Sequence, residues 1–293
     1  MDGIVIINKP KNCTSHDIVQ QAKKILNEKV GHTGTLDPMA TGVLPLLIGK
    51  GTLCSKYLIN HDKIYQVQLT LGSKTDTADR EGKIIEKKEI FQNTFQKEEV
   101  QKVLQSFLGK QEQMPPMYSA IKVKGKKLYE YARKGQTVEI QPRSIEIYDI
   151  KLLKIKEEEK QIEFQVACSK GTYIRSLCED MAERLNTVGH MSELKRTQVG
   201  NFSISQTISL QQLKEGKISY ITIEELFQEK EAILMEKHRL LLFLNGVKLT
   251  SKQQDGMYRI YVDGTFIGIG IVNKGLLKRD IILDDKVALF GIK

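Results

Sequence analysis

The sequence predicts an α+β fold that ends in a small unit rich in β-structure. Two segments, 64–71 and 162–168, alternate apolar and polar residues as half-buried strands do. Two others, 15–27 and 174–185, place apolar residues at helical spacing along one face. A third pattern, from 258 to 271, has an Asp-Gly pair between two apolar runs and is typical of a β-hairpin with a type I′ turn.

The composition allows one large domain and one small one in 293 residues. Lys and Arg (45) outnumber Asp and Glu (36), and the net charge of +9 suits a polyanionic partner. The four cysteines form no CxxC pair, which is typical of reduced thiols in a cytosolic protein. No apolar run reaches ~18 residues, so we expect a cytoplasmic protein without a membrane span or signal peptide.

A strand and a helix are predicted first along the chain. The β-branched run at 3–7 predicts a buried strand. Thr14 and Asp17 have the spacing of a capping box, with Asp in place of Glu, and predict a helix that begins near Ser15. Asn12, in the intervening turn, is a residue type that tolerates left-handed backbone geometry.

A stiff loop with a single carboxylate is predicted between residues 31 and 42. Three glycines allow tight turns or close approach of the backbone, and Pro38 disfavours helical geometry for Asp37. The apolar run 43–48 then anchors the loop to a core. Asp37 is either a nucleophile or base, or a turn residue that accepts hydrogen bonds from local N–H groups.

The residues from Gly31 to Leu44 read Gly-His-Thr-Gly-Thr-Leu-Asp-Pro-Met-Ala-Thr-Gly-Val-Leu. They resemble the catalytic motif of the TruB family, the tRNA pseudouridine-55 synthases, which isomerise one uridine in the T-loop of tRNA. The resemblance implies that Asp37 is the catalytic residue and that His32 lies against the RNA near the flipped-out base. It also implies the pseudouridine synthase fold, a mixed, largely antiparallel sheet flanked by helices.

Tyr65 lies on the apolar face of the strand predicted at 64–71. That pattern alone predicts a core tyrosine. The segment Asp-Lys-Ile-Tyr around it resembles the family segment whose tyrosine stacks on the target base. The next segment, 72–82, also resembles the family; its three carboxylates lack the alternation of a calcium loop, so we interpret it as a polar loop near the RNA.

A second helix is predicted over 100–108, closed by Gly109. The segment 122–134 beyond it holds six basic residues and one acidic one, with Tyr129 and Tyr131 interleaved. Such a run is either a solvated face or, because aromatic rings lie among the cations, an RNA contact. The sequence Tyr-Ser-Ala-Ile-Lys-Val-Lys-Gly-Lys-Lys-Leu-Tyr at this place also resembles the family.

Arg175 lies in the first turn of the helix predicted at 174–185, where a cation opposes the helix dipole. This position indicates that the arginine has another role. The segment Ser-Lys-Gly-Thr-Tyr-Ile-Arg-Ser-Leu resembles the family motif whose arginine pairs with the catalytic aspartate and whose tyrosine, here Tyr173, lines the site. In the segment Gly-His-Met-Ser-Glu-Leu-Lys-Arg-Thr, the resemblance implies that Leu194 packs in the base pocket.

We expect two domains, a catalytic domain over 1–237 and a small domain over 238–293, connected by a helix-rich segment from 210 to 237. The hairpin and the Gly-Ile-Gly pattern at 268–270 resemble the small β-barrel RNA-binding module called PUA. From 239 to 293 nine basic and five acidic residues give a net charge of +4. The alternative is a β appendage that serves stability alone.

The predicted reaction changes no redox state and loses no atom, so it demands no cofactor or metal. The predicted substrate-binding residues are His32, Tyr65, Tyr173, Arg175 and Leu194. The predicted partner is the T-arm of tRNA, and we expect a monomer with neither a membrane contact nor an obligate protein partner.

Two other classes of function compete with this prediction. A nucleoside hydrolase or glycosidase usually needs a second carboxylate across the bond that breaks, and the site motifs contain only one. A non-catalytic tRNA-binding protein or folding chaperone would not need Asp37. The sequence has no HExxH, P-loop or GxGxxG pattern.

Overall fold

The computed structural model describes residues 1–119, 121–123, 125–132, 134–136, 138–283, 287 and 290. Within these residues no helix is both long and apolar enough to cross a membrane. The strands of this part of the chain are β1 (Gly3–Lys9), β2 (Val30–His32), β3 (Thr41–Ile48), β4 (Lys63–Leu71), β5 (Ser73–Thr75), β6 (Ile84–Lys87), β7 (Gly109–Gln113), β8 (Lys122–Val123), β9 (Lys126–Lys127), β10 (Arg143–Lys156), β11 (Gln161–Cys168), β12 (Gly189–Val199), β13 (Phe202–Ser203), β14 (Tyr220–Thr222), β15 (Ala232–Leu234), β16 (Leu249–Thr250), β17 (Gly256–Val262), β18 (Thr265–Asn273) and β19 (Leu276–Ile282). The α-helices are α1 (Ser15–Leu26), α2 (Ser55–Leu58), α3 (Lys97–Gln105), α4 (Leu128–Ala132), α5 (Ile174–Arg184), α6 (Leu210–Lys214), α7 (Ile223–Leu226) and α8 (Lys237–Leu244).

Ten strands form one mixed, largely antiparallel sheet, which confirms the predicted fold class. Its main order is β14-β1-β3-β12-β4-β11-β10-β7, with β2 beside β3 and β13 beside β12. The neighbouring strands are antiparallel except β3 and β12, which run parallel over the pairs Thr41–Lys195 and Gly42–Arg196. This short parallel seam lies at the centre of the sheet, next to the loop that carries Asp37.

The first strand is buried on both faces, which explains its unbroken apolar sequence. Because successive side chains alternate, Ile4 and Ile6 lie in one core while Val5 and Ile7 lie in another. The core around Val5 and Ile7 lies beneath α1. The core around Ile4 and Ile6 continues into the C-terminal sheet, where it includes Ile269.

A third core lies between the helices α3 and α5 and the strands β4, β10, β11 and β12. The alternation predicted at 64–71 is present in β4, whose apolar side chains face this core. Leu177 and Met181 bury one face of α5 here. This packing fixes α5 so that its first turn reaches the loop before β3.

Two local predictions near the N-terminus are confirmed. The Thr14 hydroxyl accepts a hydrogen bond from the Asp17 N–H at 3.1 Å, and the Asp17 carboxylate accepts one from the Thr14 N–H at 2.8 Å. These two bonds form the capping box at the start of α1. Asn12 has a φ of 61°, so the turn before the helix uses the left-handed geometry that asparagine tolerates.

The C-terminal part forms a five-stranded sheet in the order β15-β17-β18-β19-β16. The predicted hairpin joins β17 to β18, and both turn residues, Asp263 and Gly264, have positive φ, as a type I′ turn requires. The domain boundary predicted after residue 237 stays a prediction. Because β15 lies before that boundary and pairs with β17, the C-terminal sheet begins earlier in the chain than its predicted start.

The segment 210–237 differs from the helix-rich connector that was predicted. It holds two short helices, α6 and α7, together with β14 and β15. The strand β14 pairs with β1 at the edge of the large sheet, and β15 pairs with β17 in the small one. Capping boxes at Ser209 and Thr222 start the two helices, but each helix ends within five residues. The segment therefore joins the two sheets mainly by strand pairing.

We predict that the two sheets unfold as one cooperative unit because they share the core around Ile4, Ile6 and Ile269. Ile269→Ala should lower the free energy of unfolding by about 2 to 5 kcal/mol. Leu241→Ala, at a side chain that is 52% exposed, is the matched control and should change it by less than about 0.5 kcal/mol. Calorimetry and urea unfolding measure both. Two separate transitions, with Ile269→Ala shifting only one, would contradict this prediction.

Candidate active site

Five of the residues predicted from the sequence line one cavity of 490 Å³ at the middle of the large sheet. They come from four separate parts of the chain and are Asp37, Tyr65, Tyr173, Arg175 and Leu194. The sixth, His32, lies on β2 and is not part of this lining. The cavity is lined by the loop before β3, the start of α5 and one face of the neighbouring strands β4 and β12.

The loop that carries Asp37 is held from below by the ammonium group of Lys9. This side chain is fully buried at the end of β1. Its Nζ donates to the carbonyl oxygens of Pro38 at 3.1 Å, Ala40 at 2.7 Å and Pro10 at 2.9 Å. Three carbonyl dipoles therefore stabilise the buried Lys9 ammonium group next to the Asp37 loop.

Two further contacts fix the same loop to the start of the chain. The Ser15 hydroxyl donates to the Leu36 carbonyl at 3.2 Å and accepts from the Leu36 N–H at 2.9 Å. The Asn12 N–H donates to the Pro38 carbonyl at 3.0 Å. The backbone on either side of Asp37 is thus fixed by hydrogen bonds. The Asp37 side chain is not used in these contacts and remains available to react.

Arg175 forms a two-point ion pair with Asp37. Its Nε lies 3.1 Å from Oδ2 and its Nη2 lies 3.3 Å from Oδ1 of the carboxylate. The guanidinium also donates to the carbonyl oxygens of Tyr118 at 3.0 Å and Thr77 at 3.3 Å. A planar fork with five donors suits this arrangement better than an ammonium does. The unfavourable place of Arg175 at the helix start is therefore compensated by these contacts.

Asp79 is a member of this group that the sequence reasoning did not single out. It lies in the polar loop 72–82, and its carboxylate Oδ2 is 3.8 Å from Arg175 Nη1. Its Oδ1 accepts from the Thr77 hydroxyl at 2.7 Å and the Glu81 N–H at 3.1 Å. The three carboxylates in that loop were the only sequence signal, and their spacing did not show which one reaches the arginine.

Asp37 sits in an environment that works against its charge. Burial raises the pKa of the Asp37 carboxyl above its ordinary value, and the nearby Asp79 carboxylate adds to the rise. The Arg175 guanidinium acts in the opposite direction and favours the ionised form. Whether the Asp37 carboxyl group is ionised therefore depends on Arg175.

Tyr65 and Leu194 form the apolar walls of the cavity. They lie on the adjacent strands β4 and β12, and their exposed fractions are 8% and 7%. Burial raises the pKa of the Tyr65 phenol to about 12, so the hydroxyl is protonated near neutral pH. The two side chains give the cavity a flat ring and an aliphatic surface from neighbouring strands.

Tyr173 is fixed at the start of α5 by Gln113 of β7. The Gln113 side chain accepts from the Tyr173 N–H at 2.8 Å and donates to the Tyr173 carbonyl at 3.0 Å. This reciprocal pair takes the place of a side-chain cap at the helix start. It holds the Tyr173 backbone while the side chain lines the cavity.

Two lysines also line the cavity. Lys63 Nζ donates to the His61 carbonyl, and Lys170 Nζ donates to the Asn60 side chain at 2.8 Å. Burial lowers the pKa of the Lys63 ammonium, and the neighbouring Arg196 lowers it further. These two cations give the cavity an electrostatic potential that suits an anionic group.

His32 is half-buried, and its Nδ1 atom has no hydrogen-bond partner among the described residues. Burial lowers the pKa of the imidazole, with Arg196 acting in the same direction, so the ring is neutral near pH 7. Its predicted contact with RNA stays a prediction.

Part of the basic segment 122–134 reaches the cavity. The Tyr129 ring contributes to the lining, and Lys127 Nζ lies 5.4 Å from the centre of that ring. Lys124 and Arg133, which the sequence analysis counted among the basic residues, lie outside the described residues. Nearby, the buried Ser119 hydroxyl lines the cavity without a hydrogen-bond partner in the described part of the chain.

The described residues contain no group of three or more His, Cys, Asp or Glu side chains placed to bind a metal ion. Within the same residues, the cavity lining combines the Asp37 carboxylate with two guanidinium groups, two lysines and four tyrosines around an apolar surface.

Residues 23–174 match the family model of the TruB family pseudouridylate synthase N-terminal domain. Residues 175–235 match the tRNA pseudouridylate synthase B C-terminal domain. The chain belongs to the TruB family. Its relatives carry the name tRNA pseudouridine synthase B, so the family is one of isomerases that modify tRNA.

Curated TruB relatives are similar along almost the whole chain. The protein of Clostridium kluyveri is 44% identical over 281 residues, which cover 92% of this chain and 96% of the relative. The protein of Francisella tularensis subsp. novicida is 42% identical over 298 residues, covering 97% and 98%. The predicted family is therefore confirmed.

Solved structures show the same fold. A Cbf5–Nop10–Gar1 complex includes a chain that matches with a TM-score of 0.64 and 25% identity, over 92% of this chain and 78% of that one. An H/ACA ribonucleoprotein bound to a substrate RNA matches with a TM-score of 0.66 and 22% identity, over 96% and 85%. The second match supports the TruB-type fold alone.

We predict that Arg175→Leu makes the activity rise with pH. Without the guanidinium, burial raises the pKa of Asp37 further, so the ionised form is lost at neutral pH and returns as pH increases. Each unit of pKa above the working pH costs about tenfold in active enzyme. Single-turnover rates from about pH 6 to about pH 9 measure the effect.

Arg184→Leu is the matched control for this substitution. Arg184 lies at the other end of α5 and contacts Ser106 rather than the cavity. Its variant should keep the rate and the pH profile of the unaltered protein. A wild-type rate with a flat profile in Arg175→Leu would show that the ion pair does not control Asp37.

Proposed function

We propose that this TruB-family protein isomerises uridine 55 in the T-loop of tRNA to pseudouridine, with Asp37 as the catalytic residue. The observation that carries the proposal is the bidentate Arg175–Asp37 pair at the floor of a cavity whose walls are Tyr65 and Leu194. A single ionised carboxylate beside a slot for a planar base is what this isomerisation needs.

The reaction breaks the N1–C1′ bond of uridine and forms a C5–C1′ bond. Asp37 either attacks C1′ or removes the 2′ proton to give a glycal-like intermediate. The uracil then turns within the pocket, C5 joins C1′, and the proton lost from C5 is balanced by one gained at N1. Both routes require a carboxylate, and Arg175 favours that form against burial.

The target base has to leave the T-loop stack before it reaches Asp37. Extrusion costs a few kcal/mol, and stacking on an aromatic ring returns ~1–3 kcal/mol per base. We assign this stacking to Tyr65, the opposite wall to Leu194, and a bordering role to Tyr173. His32 would contact the opened RNA from outside the cavity.

The charge of the protein supports a tRNA ligand. Lys63 and Lys170 line the cavity, and the exposed Lys170 is placed to meet a phosphate that flanks a flipped nucleotide. The unpaired Ser119 hydroxyl gives the cavity a further polar contact. We assign the T-arm to this face, assign 238–293 to a PUA-like module that binds tRNA elsewhere, and infer that a monomer suffices.

We predict that Asp37→Asn abolishes pseudouridine formation, because the amide keeps the shape of the carboxylate but is neither a nucleophile nor a base. The single-turnover rate should fall by a factor on the order of 1,000 or more. The affinity for tRNA should stay within about threefold, since spread-out cations dominate binding. Pseudouridine mapping of a tRNA transcript, and of one with cytidine at position 55, measures rate and site together.

Asp149→Asn is the control for the loss of one charge. This exposed carboxylate on β10 pairs only with the neighbouring Lys151 in the described residues, and its variant should react at the wild-type rate. Modification at another uridine would reject the T-loop assignment. A fully active Asp37→Asn protein would reject the aspartate mechanism, and wild-type protein that binds but never modifies tRNA would favour a chaperone.

We predict that Tyr65→Leu lowers the single-turnover rate more than tenfold, because an aliphatic side chain cannot replace a stacked ring worth ~1–3 kcal/mol. Tyr65→Phe keeps the ring and should retain much more of the stacking contribution. A loss below tenfold in Tyr65→Leu would identify Tyr65 as a core residue only.

A further inference from the structure

Arg196 is a buried cation for which the proposed reaction gives no role. It lies on β12 two residues after Leu194, and only 1% of it is exposed. In the described part of the chain no carboxylate forms an ion pair with it. Burying an unpaired charge is costly unless polar groups compensate it, so its contacts need an explanation.

The contacts of Arg196 link both ends of the Asp37 loop. Its Nη2 donates to the Gly34 carbonyl at 3.0 Å, three residues before Asp37. Its Nε donates to the Val43 carbonyl at 2.8 Å, just after the loop enters β3. One side chain therefore closes the loop across its base.

The same side chain reaches Tyr65. Arg196 and Tyr65 are directly opposite each other in the antiparallel pairing of β12 with β4, and both line the same cavity. The nearby guanidinium lowers the pKa of the Tyr65 phenol against the effect of burial. Side chains at such positions have Cβ atoms about 5 Å apart. Arg196 is thus hydrogen-bonded to the Asp37 loop and lies beside the stacking tyrosine, the two groups on which the proposed chemistry depends.

The backbone of Arg196 leaves little room for movement of this loop. Gly42 pairs with Arg196 in the parallel seam and has a φ of 106°. A Cβ atom at Gly42 would lie 2.1 Å from the Arg196 carbonyl oxygen. The parallel pairing of β3 with β12 covers two residue pairs. The hydrogen bonds of the Arg196 guanidinium continue this short pairing into the Asp37 loop.

We propose that Arg196 is a positioning residue for the reaction, holding the Asp37 loop in a fixed arrangement beside Tyr65. A planar guanidinium with five donors spans acceptors that point in different directions, whereas a lysine ammonium is a single point. The proposal rests on the proposed function for its catalytic part, and its structural part has a separate measurement.

The first test measures rate and affinity in Arg196→Gln and Arg196→Lys. Arg196→Gln should lower the single-turnover rate on tRNA about 100-fold, because a misplacement of about 1 Å has an effect of that size. The dissociation constant for tRNA should change by less than about threefold, since the side chain is buried away from the phosphates. Arg196→Lys should lose less. Lys195→Gln removes an exposed charge from the next residue and should retain the wild-type rate.

The second test asks whether Arg196 acts through Tyr65. In a Tyr65→Phe background the hydroxyl is already gone, so Arg196→Gln should cause a clearly smaller further loss there than in the wild-type background. Equal losses in both backgrounds would overturn the link to Tyr65. If Arg196→Gln does not fold, the same cycle with Arg196→Lys decides the question.

The third test does not depend on activity. Hydrogen exchange of the amides in 33–43 should become faster in Arg196→Gln, or in Arg196→Lys if the former does not fold, while exchange in 256–273 stays unchanged. Unchanged exchange in 33–43 would overturn the positioning role. Failure of the wild-type protein to modify uridine 55 would instead reject the proposed function, and the exchange result would still decide whether Arg196 holds the loop.

Discussion

Donation from buried cations to backbone carbonyls is the interaction on which this site depends. Lys9 binds the carbonyls of Pro38 and Ala40, and Arg196 binds those of Gly34 and Val43. Both side chains are almost completely removed from water, so their desolvation is offset by the same carbonyls that they hold. The loop is also packed, because Leu36, Met39 and Ala40 are buried in the core beneath α5; the four hydrogen bonds add to that packing and fix the backbone on both sides of Asp37.

The positions of Lys9 and of the Asp37 loop follow from the way β1 and β3 are buried. Lys9 is the last residue of β1, and the Asp37 loop leads directly into β3. The two strands pair along seven residues, with α1 over one face and the C-terminal sheet over the other. Because both faces are covered, neither strand can shift without disturbing a core. The C-terminal sheet therefore supports the site, besides any contact that it makes with RNA.

Local features of the fold were predictable from the sequence because local spacing determines them. The alternation of β4, the capping box at Thr14 and the turn at Asp263 each depend on a few adjacent residues. The site residues were predictable in part from local chemistry: the pattern around Asp37 allowed either a reactive carboxylate or a turn, and the place of Arg175 at a helix start indicated a further role. The family motif was needed to choose between these interpretations and to predict a role in the site for Tyr65, which periodicity alone left in the core. The alternation of side chains along a strand could have identified Arg196. It lies two residues from Leu194, so both side chains are on the same face of the sheet.

Contacts between distant segments were not predictable in the same way. The pairing of β3 with β12, the approach of Asp79 to Arg175 and the cover of β1 by Ile269 join residues far apart in the chain. No sequence pattern specifies which of these segments meet, because their apolar and polar residues resemble those of many other segments in the chain. The connector 210–237 differed from its prediction for the same reason: its helical signals were real but short, and its strands form only against partners elsewhere.

The parallel seam also sets the order in which a nascent chain can assemble. Val43 and Arg196 are 153 residues apart in sequence. At a synthesis rate of about 5 to 20 residues per second, β3 leaves the ribosome roughly 8 to 30 s before β12 exists. Throughout that interval the first two residues of β3 and the base of the Asp37 loop lack their partner, although β2 can already pair with the other end of β3. A newly made molecule therefore acquires its catalytic geometry late in translation.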